Sequence, residues 1–185
     1  MTPRHAHRRI FGRGALLALS VLLLAFASAL WPGAAEAAQP AQSGGYYAPY
    51  PGGVTPLAVS GVITAGSCKY QQATDNPHHP SGTNYTSVHG WWLHYSGTCP
   101  AKATVTEYLQ AYWCDIYGCR FITVSSGRAD VYAGGGSGKR ATARLTCASY
   151  RTVGWRGFVD VNLDNWSDPS GYTYSAIENL LCSPP

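Results

Sequence analysis

The six cysteines constrain this chain most. All lie in its later part, at Cys68, Cys99, Cys114, Cys119, Cys147 and Cys182. They follow an N-terminus that reads as an export signal. Arg4, Arg8, Arg9 and Arg13 carry positive charge with no acid among them, and an apolar run follows over residues 15–30. Trp31-Pro32-Gly33 then breaks it, and Ala35-Glu36-Ala37 fits the small-x-small rule for signal peptidase. Residues 1–37 are therefore expected to be a signal peptide cleaved near Ala37. The run of about 16 apolar residues is shorter than the ~20 a spanning helix needs, and no second such run exists, so no membrane span is expected in the mature form. Arg8-Arg9-Ile10-Phe11 partly matches a twin-arginine signal, but the Leu-rich core favours the general secretory route.

An even cysteine count behind such a signal implies three disulfides and a secreted, extracellular domain. Zinc would want C-x-x-C pairs. None occurs, and the closest cysteines, Cys114 and Cys119, have four residues between them. That pair is expected to bridge a tight hairpin loop. The expected partners for the rest are Cys68 with Cys99 and Cys147 with Cys182, the last pinning the C-terminus.

The formal charge of +4 belongs largely to the leader. Cleavage removes four of the 13 basic residues and one of the nine acidic ones, leaving a net of about +1. Nucleic acid is therefore not an expected partner. Residues 38–56, rich in Pro, Gly and Tyr, read as a flexible leader, with disorder favoured over docking for Tyr46, Tyr47 and Tyr50. Residues 57–185 read as one domain of ordinary size.

Within that domain the hydrophobic period is two. Over residues 102–113, Ala103, Val105, Leu109, Ala111 and Trp113 share one face, interrupted by Glu107; Lys102, Thr104, Thr106, Tyr108, Gln110 and Tyr112 share the other. Residues 152–164 alternate in the same way, with Val153, Trp155, Gly157, Val159, Val161 and Leu163 inward and Arg156, Asp160, Asn162 and Asp164 outward. Further strands are expected at 57–64, 68–74, 87–95, 120–125, 129–133 and 140–148, with a loop over 75–86 and a Gly-rich connection at 134–138. Residues 172–181 fit a strand or one or two helical turns. The expected fold is all-β: an antiparallel β-sandwich, Greek-key or immunoglobulin-like, stabilised by disulfides.

Motifs for chemistry are weak. His78, His79, His89 and His94 lie close in sequence, but His89 and His94 fall on opposite faces of a strand, so no metal is assigned. Asp160, Asn162 and Asp164 echo a calcium loop but lack its Gly and its terminal Glu. Gly134 to Arg140 departs from a phosphate loop at both ends. No G-x-S-x-G is present, and no second carboxylate can be assigned to Glu107, the one acid on an apolar face. No catalytic residue and no cofactor are expected. Asn84-Tyr85-Thr86 and Asn165-Trp166-Ser167 match glycosylation acceptor triplets, which matter only in a eukaryotic secretory pathway.

The aromatic residues carry the functional expectation. Tyr108, Gln110 and Tyr112 would form a stripe on an outer sheet face, with Trp91 and Trp92 adding flat surfaces suited to the C–H faces of sugars. Asp115, Ile116 and Tyr117, inside the Cys114–Cys119 loop, would form a preorganised docking element. The stretch Cys68-Lys69-Tyr70, Asp75-Asn76-Pro77-His78 and Val88-His89-Gly90-Trp91-Trp92-Leu93, with the export signal, resembles small secreted proteins of actinobacteria without an assigned function. The resemblance implies a bacterial extracellular location and carries over no active site. The expected function is a non-enzymatic domain that binds a cell-wall glycan or an extracellular protein. The alternatives are a secreted inhibitor acting through the Cys114–Cys119 loop and an extracellular hydrolase of unrecognised type.

Overall fold

The computed structural model describes residues 44–52 and 59–185; the expected signal peptide lies outside them. Ten strands and no helix occur there. They are β1 (Tyr46–Tyr47), β2 (Ile63–Ala65), β3 (Cys68–Thr74), β4 (Tyr85–Gly97), β5 (Lys102–Asp115), β6 (Gly118–Tyr132), β7 (Ala141–Thr146), β8 (Ser149–Leu163), β9 (Thr173–Tyr174) and β10 (Glu178–Ser183). All described strand pairs are antiparallel.

Two sheets result. The first is six-stranded and centred on β5, which pairs along one edge with β6 and along the other with β8 and, beyond it, β1; β8 in turn carries β9 and β10. The second is four-stranded, in the order β2-β3-β4-β7. Their facing residues make one interior. Tyr70, Trp92 and Ala141 of the second sheet pack with Val105, Val131, Val159 and Leu163 of the first, and Val88 and Ala143 pack with Leu109, Val153 and Trp155. The chain is thus an antiparallel sandwich, as its period-two pattern implies. At one edge β6 leans onto β7, where the Ser125 hydroxyl donates to the Arg144 carbonyl at 2.7 Å.

Three disulfides close the structure with the expected pairing: Cys68–Cys99, Cys114–Cys119 and Cys147–Cys182. The first joins the start of β3 to the β4–β5 connection. The second clamps the β5–β6 hairpin. The third ties β10 to the end of β7.

Three local readings differ. Part of the expected flexible leader is ordered: Tyr46 and Tyr47 pair with Cys114 and Trp113, and Tyr50 exchanges hydrogen bonds with the Asn179 side chain at 2.8 and 3.0 Å. The Tyr residues offset the cost of ordering because their rings find aromatic partners on β5 and β6. The segments read as separate strands at 120–125 and 129–133 form one continuous β6, in which Val124 bulges as the extra residue opposite the Leu109–Gln110 step of β5. Residues 172–181 hold β9 and β10 and no helical turn, because pairing with β8 decides the matter.

Candidate functional site

The outer face of the six-stranded sheet carries an extended aromatic assembly. Strand parity places Tyr108, Gln110 and Tyr112 of β5 on it. Register then sets Phe158 beside Tyr108, Arg156 beside Gln110 and Phe121 beside Tyr112, and β9 adds Tyr174 next to Phe158. Tyr108 and Phe158 stack with ring centroids 4.4 Å apart and planes 9° from parallel. Tyr172 meets Phe158 edge-on at 5.2 Å, and Tyr174 meets it tilted at 5.4 Å.

A second group lies further along the same face. Tyr112 packs on Phe121 at 5.1 Å, and Tyr50 contacts both rings. Tyr50 reaches them by crossing β8 at Gly154, where any Cβ would run into its backbone and side chain. Arg156 joins the two groups. Its guanidinium lies 4.3 Å from the Phe121 centroid and 4.6 Å from that of Tyr174, and its Nε–H donates to Gln110 Oε1 at 2.7 Å. Burial between the rings lowers the Arg156 pKa below its ordinary value, although the group remains a cation at any physiological pH. Each such cation–π contact typically contributes ~0.5–1 kcal/mol at exposed sites and more where water is displaced.

The face is open rather than buried. Tyr172 and Tyr174 are 59 % and 42 % exposed, and Tyr108, Tyr112, Phe121, Arg156 and Phe158 are half-buried. Beyond Tyr108 and Phe158 the same face continues with Thr106 opposite Asp160 and Thr104 opposite Asn162. An open aromatic strip bordered by hydroxyl, amide and carboxylate groups results.

The other expected ligand-binding residues do not join it. Trp92 faces the interior: it is 1 % exposed, and its indole N–H donates to the Val131 carbonyl at 2.9 Å. Trp91 points outward from the four-stranded sheet, against Gly135. Neither shares a surface with Tyr108, because period two sends neighbours to opposite faces and both lie in the other sheet. The sequence pattern does not group Phe158, Tyr172, Tyr174, Phe121, Tyr50 and Arg156 with the stripe. Parity along β8 carries the signal for Phe158, which alternates with inward Gly157 and Val159. The remaining contacts depend on pairing between distant segments.

The Cys114–Cys119 loop stands apart at the hairpin tip. Ile116 and Tyr117 are 83 % and 86 % exposed. Asp115 receives the Tyr117 backbone N–H at 2.9 Å and an Arg120 guanidinium N–H at 2.8 Å, and these bonds hold its carboxyl below the ordinary range. The tip is rigidly framed, with two apolar side chains projecting.

Glu107 occupies neither surface. It lies on the inner face of β5 and is fully buried, with Oε1 3.0 Å from the Thr74 hydroxyl and Oε2 without a partner. Gly90 from one sheet and Gly157 from the other make its slot; a Cβ on either would meet the carboxyl. Burial pushes its pKa well above 4.5, and the charge of Asp75 adds to the effect. A depression of about 570 Å³, lined by Trp92, His94, Thr98, Cys99, Tyr132 and neighbours, contains no carboxylate.

No protein-family model, no curated protein and no solved structure matches this chain.

Proposed function

We propose that this chain is an exported, extracellular domain that binds a wall polysaccharide along the outer face of its six-stranded sheet. The carrying observation is the strip in which Arg156 links the Tyr108–Phe158–Tyr174 group to the Tyr112–Phe121–Tyr50 group. Aromatic faces suit the apolar C–H faces of sugar rings, and Gln110, Thr123 and Ser126 beside them offer hydrogen bonds to hydroxyls. An open face without a pocket fits an extended polymer better than a small molecule, for which a concave pocket is the usual solution. The three disulfides favour an oxidising compartment, and among the described residues no helix is long and apolar enough to cross a membrane. The resemblance to small secreted actinobacterial proteins fits this reading.

The test is retention of the purified, oxidised protein on insoluble cell-wall polysaccharide. Tyr108→Ala, Phe158→Ala and Arg156→Ala should each weaken retention by about tenfold or more, the scale of one lost ring or cation contact in a desolvated site. Failure of the unaltered protein to bind, or equal binding by all three variants, would remove the reading.

A second reading has its own observation. Ile116 and Tyr117 project from a disulfide-clamped loop, which supports a secreted inhibitor docking that tip into a protein partner. Ile116→Ala with Tyr117→Ala should abolish an inhibitor and leave polysaccharide retention unchanged.

A further inference from the structure

We propose that Asp75, His78 and His89 form a binding site for a divalent transition-metal ion of the Zn²⁺ or Cu²⁺ class. The site is separate from the aromatic face and belongs to the four-stranded sheet. β3 ends at Thr74, but the chain keeps to the edge of β4: Asp75 N–H donates to the His89 carbonyl at 2.9 Å, and His78 and Ser87 exchange backbone bonds at 2.9 and 3.0 Å. Asn76 and Pro77 bulge between these two pairings, since Pro77 has no N–H to give the ladder. Period two turns Val88, Gly90 and Trp92 inward, so Ser87 and His89 point outward, on the same side as Asp75 and His78.

One ring nitrogen from each histidine and one Asp75 oxygen lie within 4.8 Å of one another. Tetrahedral ligands with bonds of ~2.0–2.1 Å sit roughly 3.3 Å apart, so side-chain rotation alone closes the set. The His78 ring is already oriented. Its Nδ1 lies 3.0 Å from the Asn76 carbonyl, which only accepts, so Nδ1 carries the proton and Nε2 presents a lone pair, 3.2 Å from the Ser87 hydroxyl. A backbone carbonyl on the far ring nitrogen is the usual outer support of a metal-bound histidine. The His89 ring stacks on that of His78 at 5.2 Å, and its Nδ1–H donates to Asp75 Oδ2 at 2.7 Å. A cation at this point takes the place of the Nδ1 hydrogen of His89, and the ring regains that proton at Nε2 by exchange through water, so it binds as a neutral imidazole with no net proton released. Two imidazoles and one carboxylate then hold the ion, and Ser87 Oγ or water fills the fourth position.

The supporting segment is preorganised. The Asn76 side chain donates to Glu178 Oε1 at 2.9 Å and accepts the Ala176 N–H at 3.3 Å, fastening the bulge to the β9–β10 region. Asp75 Oδ1 also accepts the His89 backbone N–H at 2.6 Å. His89 is 8 % exposed and Ser87 is 3 % exposed, although both point away from the core. Nitrogen-rich donors of this kind suit Zn²⁺ or Cu²⁺ rather than Ca²⁺ or Mg²⁺. His79 and His94 stand outside the set: His79 lies near Cys147 Sγ, which is bonded to Cys182, and His94 faces the Gly97 carbonyl.

The experiment titrates the oxidised, full-length mature protein with Zn²⁺ alone, following the imidazole nitrogens by ¹H–¹⁵N NMR, and with Cu²⁺ alone, following its EPR spectrum. The expected result is one equivalent bound, with shifts confined to the His78 and His89 rings and two-nitrogen coupling on Cu²⁺. His78→Ala or His89→Ala should weaken binding at least about a hundredfold, while His94→Ala should not. The NMR readout needs no variant, so a folding failure of His89→Ala leaves the test intact. Absence of one-to-one binding at micromolar protein, shifts centred on His79 or His94, or undiminished affinity in both His78→Ala and His89→Ala would overturn the proposal.

Discussion

Glu107 makes the stability of this domain depend on pH in a direction opposite to that of most carboxylates. In the folded protein its slot between Gly90 and Gly157 keeps the acid protonated. The Thr74 hydroxyl donates to Oε1 at 3.0 Å, and Oε2 has no partner. In the unfolded chain the same acid ionises near 4.5. Between that value and the raised folded pKa, the native state holds one proton more than the unfolded state. Stability is then full below pH 4.5 and falls as pH rises, by up to ~1.4 kcal/mol per pH unit, until the folded pKa is passed.

Glu107→Gln isolates the effect. The amide keeps the shape, and its carbonyl oxygen can accept from the Thr74 hydroxyl as Glu107 Oε1 does, but it does not titrate. Urea unfolding of the disulfide-intact proteins, followed by fluorescence of buried Trp92 and Trp155, gives stability from about pH 4 to about pH 8, a range that spans the ionisation of the unfolded acid. The two proteins should be similar at the acid end. As pH rises, the Glu107→Gln variant should gain on the parent with a slope approaching ~1.4 kcal/mol per unit. A flat difference curve from about pH 5 to about pH 7.5 would refute the buried-proton argument.

Other consequences are as direct. Gly90→Ala drives a Cβ into the Glu107 carboxyl and should cost ~1–3 kcal/mol; pairing it with Glu107→Ala should cost less than the sum, as a double-mutant cycle in urea would show. Replacing Cys147 and Cys182 by Ser frees β10 from the end of β7 and should lower stability by ~2–4 kcal/mol, read as a lower urea midpoint. Tyr70→Phe removes the 3.4 Å bond to Asp168 and should cost no more than ~0.5–1.5 kcal/mol in the same assay. Ile116→Ala and Tyr117→Ala should each stay within ~0.5 kcal/mol of the parent, since both side chains are solvated; a larger loss would mean the loop packs on the domain.

Much of the architecture is local information. Period two over residues 102–113 and 152–164 names β5 and β8 and their inward faces, because successive side chains in a strand alternate. The short spacing of Cys114 and Cys119 implies the hairpin they close. The same alternation puts Tyr108, Gln110 and Tyr112 on one outer face, where the structure has them. It equally implies that Trp91 and Trp92, as neighbours in a strand, cannot share a surface.

What local pattern could not decide was which distant segments meet. Arg156 reaches Phe121 and Tyr174, and Tyr50 reaches Phe121, only because β8 pairs with β5 and β9 while β6 pairs with β5. Asp75, His78 and His89 converge because the chain rejoins the β4 edge after the Asn76-Pro77 bulge, which a reading of 75–86 as plain loop does not contain. Alternation and cysteine spacing report on a residue and its immediate neighbours. Register between strands is set by the packing of the whole interior, so sites built across strands belong to the tertiary structure alone.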